Sequence, residues 1–261
     1  MYIILLLVSF CASAAGAVCG IGGGVIIKPV LDAMNIADVS SISFLSGCTV
    51  LSMSYYSVGK AVLAGESGIE RHTGTPLALG AAFGGILGKN LFSLLRELSA
   101  QPERVGGYQS VCLALVTLGT LAYTIFQPGI KTRRVEGRAA CGVIGMVLGV
   151  MSSFLGIGGG PVNLAVLYFF FSMSAKTAAQ NSLYIILFSQ TASLLTTFIA
   201  RSVPLFEPPW LAVMVAGGIL GGMAGRALNR KLSEAQVALM FKGLMLLIIG
   251  VSCYNAAGYL T

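Results

Sequence analysis

The stretch CGIGGGVIIKP, Cys19 to Pro29, sets four glycines within five residues and follows them with a lysine inside an apolar run. The stretch LGIGGGPVNLA, Leu155 to Ala165, repeats the same knot 136 residues further on. Glycine reaches backbone torsions closed to other residues and lets a second backbone or a ligand approach closely. Three glycines in a row break a helix. The helix that resumes after each break starts with free N–H groups and the positive end of its dipole, which suits an anion.

The sequence around the knots says what solvent they sit in. Hydrophobic residues make up 56% of the 261 and charged residues 10%, with a mean hydropathy of +0.88. Soluble domains carry about 25% charged residues, so this chain has too few to cover a water-facing surface. It reads as an all-α polytopic membrane protein. Met1 to Val18 is apolar and uncharged. A cleaved signal peptide is the competing reading, opposed by the lack of a positive n-region and by a hydrophobic run that continues to Leu31. The net charge of +7 gathers in short loops and is assigned to membrane orientation, not to nucleic acid. Six cysteines lie scattered without a CxxC, and His72 is the single histidine, so neither a disulfide framework nor a metal site is indicated, and no cofactor is expected.

Ten helical elements are expected, near 1–18, 22–34, 42–64, 74–96, 105–126, 139–155, 159–173, 180–200, 208–228 and 236–258. The second and seventh are too short for a roughly 30 Å hydrocarbon core at about 1.5 Å per residue, so about eight spanning helices and two short ones are predicted. GIGGG recurs at an offset of 136 and GGILG, at Gly84 and Gly217, at an offset of 133. The chain therefore divides into two repeats, 1–130 and 131–261, of about five elements each. An odd number of crossings inverts the second repeat. The basic loop Gln127–Arg138 is then cytoplasmic, together with Lys176 and with Arg230 and Lys231, and both termini face outside. A parallel repeat of four helices is the alternative. It needs the first two elements to be one broken helix, and it puts the 127–138 and 229–235 loops on opposite sides.

In lipid an unsatisfied backbone group costs several kcal/mol, so the breaks must be covered by protein or line a water-filled cavity. Inverted repeats with broken helices place a transport site where the repeats meet. The candidate substrate-binding residues are accordingly Gly22, Gly23 and Gly24 with Lys28, and Gly158, Gly159 and Gly160 with Asn163. Lys28 alternatively pairs with Asp32 or reaches to the interface. Ser43, Asn181 and Gln190, on the third element of each half, complete the set. The repeat alignment puts Ser43 near Asn181 and Ser52 near Gln190. Buried hydroxyls and amides can hold an anion or bind helices together. GGILG is assigned to helix packing, and Lys89, Arg226 and Lys242 to the membrane interface.

GIGGGVIIKPVL, its counterpart GIGGGPVNLAVL and the GGILG pair together resemble the sulfite exporter TauE/SafE family, the TSUP permeases, over nearly the whole chain. The resemblance implies a permease of a bacterial or archaeal inner membrane for small anions such as sulfite, sulfoacetate or other organosulfonates. It maps the family glycines to Gly20, Gly22, Gly23 and Gly24, and to Gly156, Gly158, Gly159 and Gly160. Lys28 stands where the family is often apolar. The family's Thr-Ser pair reads Ile42-Ser43 and Gln180-Asn181 here. The function expected is secondary transport of a small anion by alternating access. The partners expected are that anion, the lipid bilayer, a coupling ion and a second copy of the chain. A membrane scaffold using the glycines for packing is the alternative. An intramembrane enzyme lacks a visible set of catalytic residues.

Overall fold

The computed structural model describes residues 1–65, 68–98, 104–127, 131–157 and 159–260. Among them are ten helices and no strand: α1 (Tyr2–Cys19), α2 (Gly24–Ala33), α3 (Val39–Leu63), α4 (Arg71–Leu98), α5 (Arg104–Phe126), α6 (Arg138–Phe154), α7 (Pro161–Phe171), α8 (Ala175–Ile199), α9 (Pro208–Lys231) and α10 (Glu234–Leu260). The all-helical reading and the order of elements hold. The helices α3 and α8 start earlier than expected because polar residues that read as loop are N-caps. The Asp38 carboxylate accepts from the Ser40 and Ser41 amides at 3.0 and 3.2 Å. The Ser174 hydroxyl accepts from the Thr177 amide at 3.4 Å.

Six of the described helices, α1, α4, α5, α8, α9 and α10, are long and apolar enough to cross a membrane. The 25-residue α3 is long enough but rich in serine, and α6 stops at 17 residues. With 10 and 11 residues, α2 and α7 reach only about 15–17 Å. Each short helix folds back along the helix before it. A methyl group on Gly16 of α1 would strike the Gly22 and Gly23 backbone. The hairpin α1–α2 therefore begins and ends at one end of the bundle. There Tyr2 donates to Glu207, 3.3 Å, and the Ser41 hydroxyl donates to the Leu205 carbonyl, 2.8 Å. The hairpin α6–α7 begins and ends at the other. There the Arg133 and Val135 amides donate to the Phe169 and Phe170 carbonyls at 2.7 and 2.9 Å. Ser174 and the Lys176 amide meet Glu234 at that same end.

The halves interlock. α1 packs on α9 and α6 on α4; α3 packs on α9 and α8 on α4; α2 packs on α10 and α7 on α5. Every one of these contacts has its counterpart with the halves exchanged, and α3 with α8 and α5 with α10 join like to like. Glycine ladders make the tightest crossings. Gly80, Gly84 and Gly88 of α4 lie on the carbonyls of Gly142, Met146 and Val150 of α6. Gly217, Gly221 and Gly225 of α9 lie on those of Leu6, Phe10 and Ala14 of α1. Small residues at such crossings let helix backbones meet.

The ladders set a register different from the one the GGILG strings suggest. Partner carbonyls 136 residues apart match Gly84 with Gly221, an offset of 137. The identical GGILG strings are thus one helical turn out of register, because glycines spaced i, i+4 look alike after a shift of one turn. The N-caps Asp38 and Ser174 correspond at 136, which places Ser43 opposite Ala179 and Ser54 opposite Gln190.

Candidate functional site

The two knots lie against each other at the crossing of the hairpins. α1 ends on Gly20 and α6 runs into Gly156, both in the left-handed region at φ 74° and 64°, where a side chain is strained. Gly24, the first residue of α2, sits on the Ile157 carbonyl. Gly159 faces Ile186 and the Ile21 carbonyl, and Gly160 faces Ile157 and Val25. Gly22 and Gly23 turn the chain from α1 into α2, with Gly23 against Ser13. Gly158 lies outside the described residues. The knots are thus packed in apolar side chains and in one another.

Breaking α1 and α6 frees their last carbonyls, and named side chains bind them. The Gln109 amide on α5 donates to the Phe154 carbonyl, 2.6 Å. The Lys28 ammonium donates to the Leu155 carbonyl, 3.1 Å, and to Gln109 Oε1, 2.5 Å. In the other half the Asn229 amide on α9 donates to the Val18 carbonyl, 2.6 Å. Val18 and Phe154 are 136 residues apart, so the two breaks are capped at equivalent carbonyls by equivalent chemistry. Lys28 is only 4% exposed. Its ammonium goes to the α6 end, not to the interface. Asp32, one turn along, keeps a buried Oδ1 that accepts no hydrogen bond from the described residues.

A cavity of about 520 Å³ opens beside this cap, toward the Leu205 end. Gly156 and Gln109 form its inner wall, with Lys28 directly behind them. Ser43 and Gln190 face it from α3 and α8, and Lys89 from α4. The Ser43 and Ser153 hydroxyls are buried there without a hydrogen-bond partner among the described residues. The cavity therefore gathers the Lys89 ammonium and the Glu97 carboxylate on its wall, the Lys28 ammonium behind the wall with Asp32 one turn along, and the uncommitted hydroxyls of Ser43 and Ser153 and amide of Gln190. An anion needs such donors.

Of the expected residues, the structure brings Lys28, Ser43 and Gln190 to this place. Asn163 is buried in the first turn of α7 and is not part of the cavity wall. Asn181 is fully buried near the opposite end, where it donates to the Gly68 and Thr177 carbonyls at 3.0 and 2.9 Å. Gln109 and Gly156 were not singled out for the site. A glutamine in the apolar run GGYQSVCLALV was the available signal for the first, and the shared GIGGG for the second. Lys89 is half-buried on the cavity wall, not an anchor at the interface, because the cavity reaches between α3, α4 and α8. Arg226 also turns inward and donates to the Ser57 carbonyl, 3.2 Å.

Comparison with known proteins agrees with this architecture. The sulfite exporter TauE/SafE family matches residues 5–252. A protein described as the probable membrane transporter protein YunE, from Bacillus subtilis (strain 168), is 21% identical over 271 residues, covering 95% of each chain. No solved structure matches. Residues 5–252 span both hairpins, both knots and the cavity between them, and the chain is a multi-pass membrane protein that belongs to the sulfite exporter TauE/SafE family.

Proposed function

We propose that this protein is a secondary transporter of the plasma membrane that carries a small anion by alternating access. The anion class is sulfur-containing, sulfite or an organosulfonate, as the family description and the cavity chemistry suggest together. Two inverted repeats, 1–130 and 131–261, form the transporter. The exchanged helix contacts and the opposite ends from which α1 and α6 enter support that reading. The Glu234 end is cytosolic: Lys131, Arg133, Arg134, Arg138, Lys176, Arg230 and Lys231 all belong to it.

The observation that carries the proposal is the cavity at the knot, walled by Ser43, Lys89, Gln109, Gly156 and Gln190 with Lys28 behind. The substrate oxyanion accepts from the Ser43 and Ser153 hydroxyls and the Gln190 amide, and Lys89 on the wall with Lys28 behind it supplies the positive charge, set against Glu97 on the same wall and Asp32 beside Lys28. The glycines at 22–24 and 158–160 shape the backbone frame that brings these groups together. Thermal-shift binding of purified protein to sulfite, sulfate, thiosulfate, sulfoacetate, taurine, acetate and phosphate tests this. Selective stabilisation by a sulfur oxyanion or sulfonate, reduced in Lys28→Gln and Lys89→Gln, is the expected result. No shift with any anion, and no uptake of labelled sulfite or sulfoacetate into proteoliposomes, would overturn it.

A further inference from the structure

A second, much smaller pocket of about 50 Å³ lies between α1, α3, α8 and α9 near the Glu234 end. Its wall is the wall of the large cavity, rewritten in the other half. Ser57, Val58 and Ala61 of α3 correspond at 136 residues to Ser193, Leu194 and Thr197 of α8, which line the large cavity. Ala179 and Leu183 of α8 correspond to Ser43 and Gly47 of α3, and Ala17 of α1 to Ser153 of α6, at the same offset. The α9 residues follow the ladder offset of 137: Arg226 matches Lys89, Asn229 matches Phe92 and Arg230 matches Ser93. Ten of the eleven described residues that line the small pocket have such a partner in the large one, which leaves Ile69. Unrelated packing gaps would not share their linings at the offsets that the N-caps and glycine ladders set independently.

We infer that the small pocket is the closed counterpart of the large cavity, and that Arg226 there takes over from Lys89 as the counter-charge of the transported anion. This rests on the transporter reading above. A basic residue stands at the same place in both walls although its identity differs, as an anion held first from one side and then from the other requires. Two features keep the inner pocket small. Leu183 fills the space that Gly47 leaves open on the other side. Arg226 ties α9 to the Ser57 carbonyl of α3. Opening the inner pocket needs the α8 and α9 side to move off α3 while the equivalent elements close around the large cavity. A fold with exchangeable halves offers that state at comparable energy.

The test needs no substrate, so its outcome is separable from the identity of the anion. All six native cysteines, of which Cys11, Cys112 and Cys253 are exposed, are first replaced. Single cysteines are placed at Ser193, which is partly exposed on the large cavity, and at its counterpart Ser57, and both together in a double variant. An impermeant maleimide should label Ser193→Cys from outside in spheroplasts and Ser57→Cys from the cytosolic face in inside-out vesicles. In the double variant, wedging Ser193→Cys open from outside with a bulky impermeant methanethiosulfonate before the vesicles are made should slow labelling at Ser57→Cys by about tenfold, as expected when one state is held at the expense of the other. Arg226→Gln should speed it. Ala61→Cys in place of Ser57→Cys repeats the test if the first variant folds poorly. Labelling at Ala61 and Ser57 that ignores the wedge, or that is absent even in Arg226→Gln, would show a packing gap and overturn the inference. Reciprocal labelling without any anion binding would leave the exchange standing and remove the anion.

Discussion

Lys28 on α2 and Gln109 on α5 are hydrogen-bonded at 2.5 Å, and together they hold the carbonyls of Phe154 and Leu155 at the broken end of α6. A cation at a helix C-terminus is also favoured by the dipole. Lys28 thus closes the break and places positive charge behind the cavity wall, and two substitutions separate these tasks. Lys28→Ala leaves carbonyl and amide groups unpaired in a dry site and should destabilise the protein by about 2–3 kcal/mol. Lys28→Gln keeps a donor within reach of the cap but removes the charge. It should hold most of the thermal stability while weakening anion binding by roughly tenfold or more. Melting and binding on the same detergent-solubilised samples compare the two. Equal loss of both properties in both variants would reduce Lys28 to a structural cap.

The counterpart cap predicts a loss of stability with the large cavity left intact. Asn229 donates to the Val18 carbonyl at the end of α1, far from the large cavity. Asn229→Leu should cost about 1–3 kcal/mol, the penalty of a buried carbonyl without a donor. Anion affinity at the large cavity should stay within about twofold, a few tenths of a kcal/mol. Thermal unfolding and equilibrium binding measure the two.

The ladders predict where size cannot be tolerated. A methyl group at Gly84 or Gly221 would overlap the Met146 or Phe10 carbonyl. Gly84→Leu and Gly221→Leu must separate whole helices and should each cost at least about 1–3 kcal/mol. A Cβ at Gly119 or Gly250 would meet nothing within 4 Å among the described residues. Leucine there should be accepted, with yield and a monodisperse elution profile as the readout.

Much of this was legible in the residues. The duplicated GIGGG announced two helix breaks, the short apolar runs after it announced α2 and α7, and the ladders of small residues announced close crossings. The register of the repeat was not legible at α4 and α9, because glycine every four residues cannot distinguish one turn from the next. The site was legible only in part. Lys28 and the amides stood out as polar groups in apolar runs, but a sequence does not say which of two cavities each helix face meets. Asn181 and Gln190 are nine residues apart on α8, and that length carries them toward opposite ends. Lys89 and Arg226 looked like interfacial anchors because each follows a ladder of glycines near a helix end. The same ladders bring them inward, by drawing α4 onto α6 and α9 onto α1.

The division of α8 gives the last prediction. Gln190 lies on the large cavity, with its Oε1 beside Gly47, whereas Asn181 ties α8 to the Gly68 carbonyl in the α3–α4 connection. Gln190→Leu fills similar volume without a donor and should weaken anion binding by about tenfold, the value of one hydrogen bond to a charged group. It should change the melting temperature little, because no buried partner is left unpaired. Asn181→Leu should do the reverse. It removes two hydrogen bonds and frees the connection between α3 and α4, for a loss of roughly 1–3 kcal/mol, while affinity at the large cavity is kept. Measuring both quantities for both variants sorts the amides by role. Loss of affinity in Asn181→Leu with Gln190→Leu unaffected would move the anion site from the cavity beside Gly156 to the opposite end of the bundle.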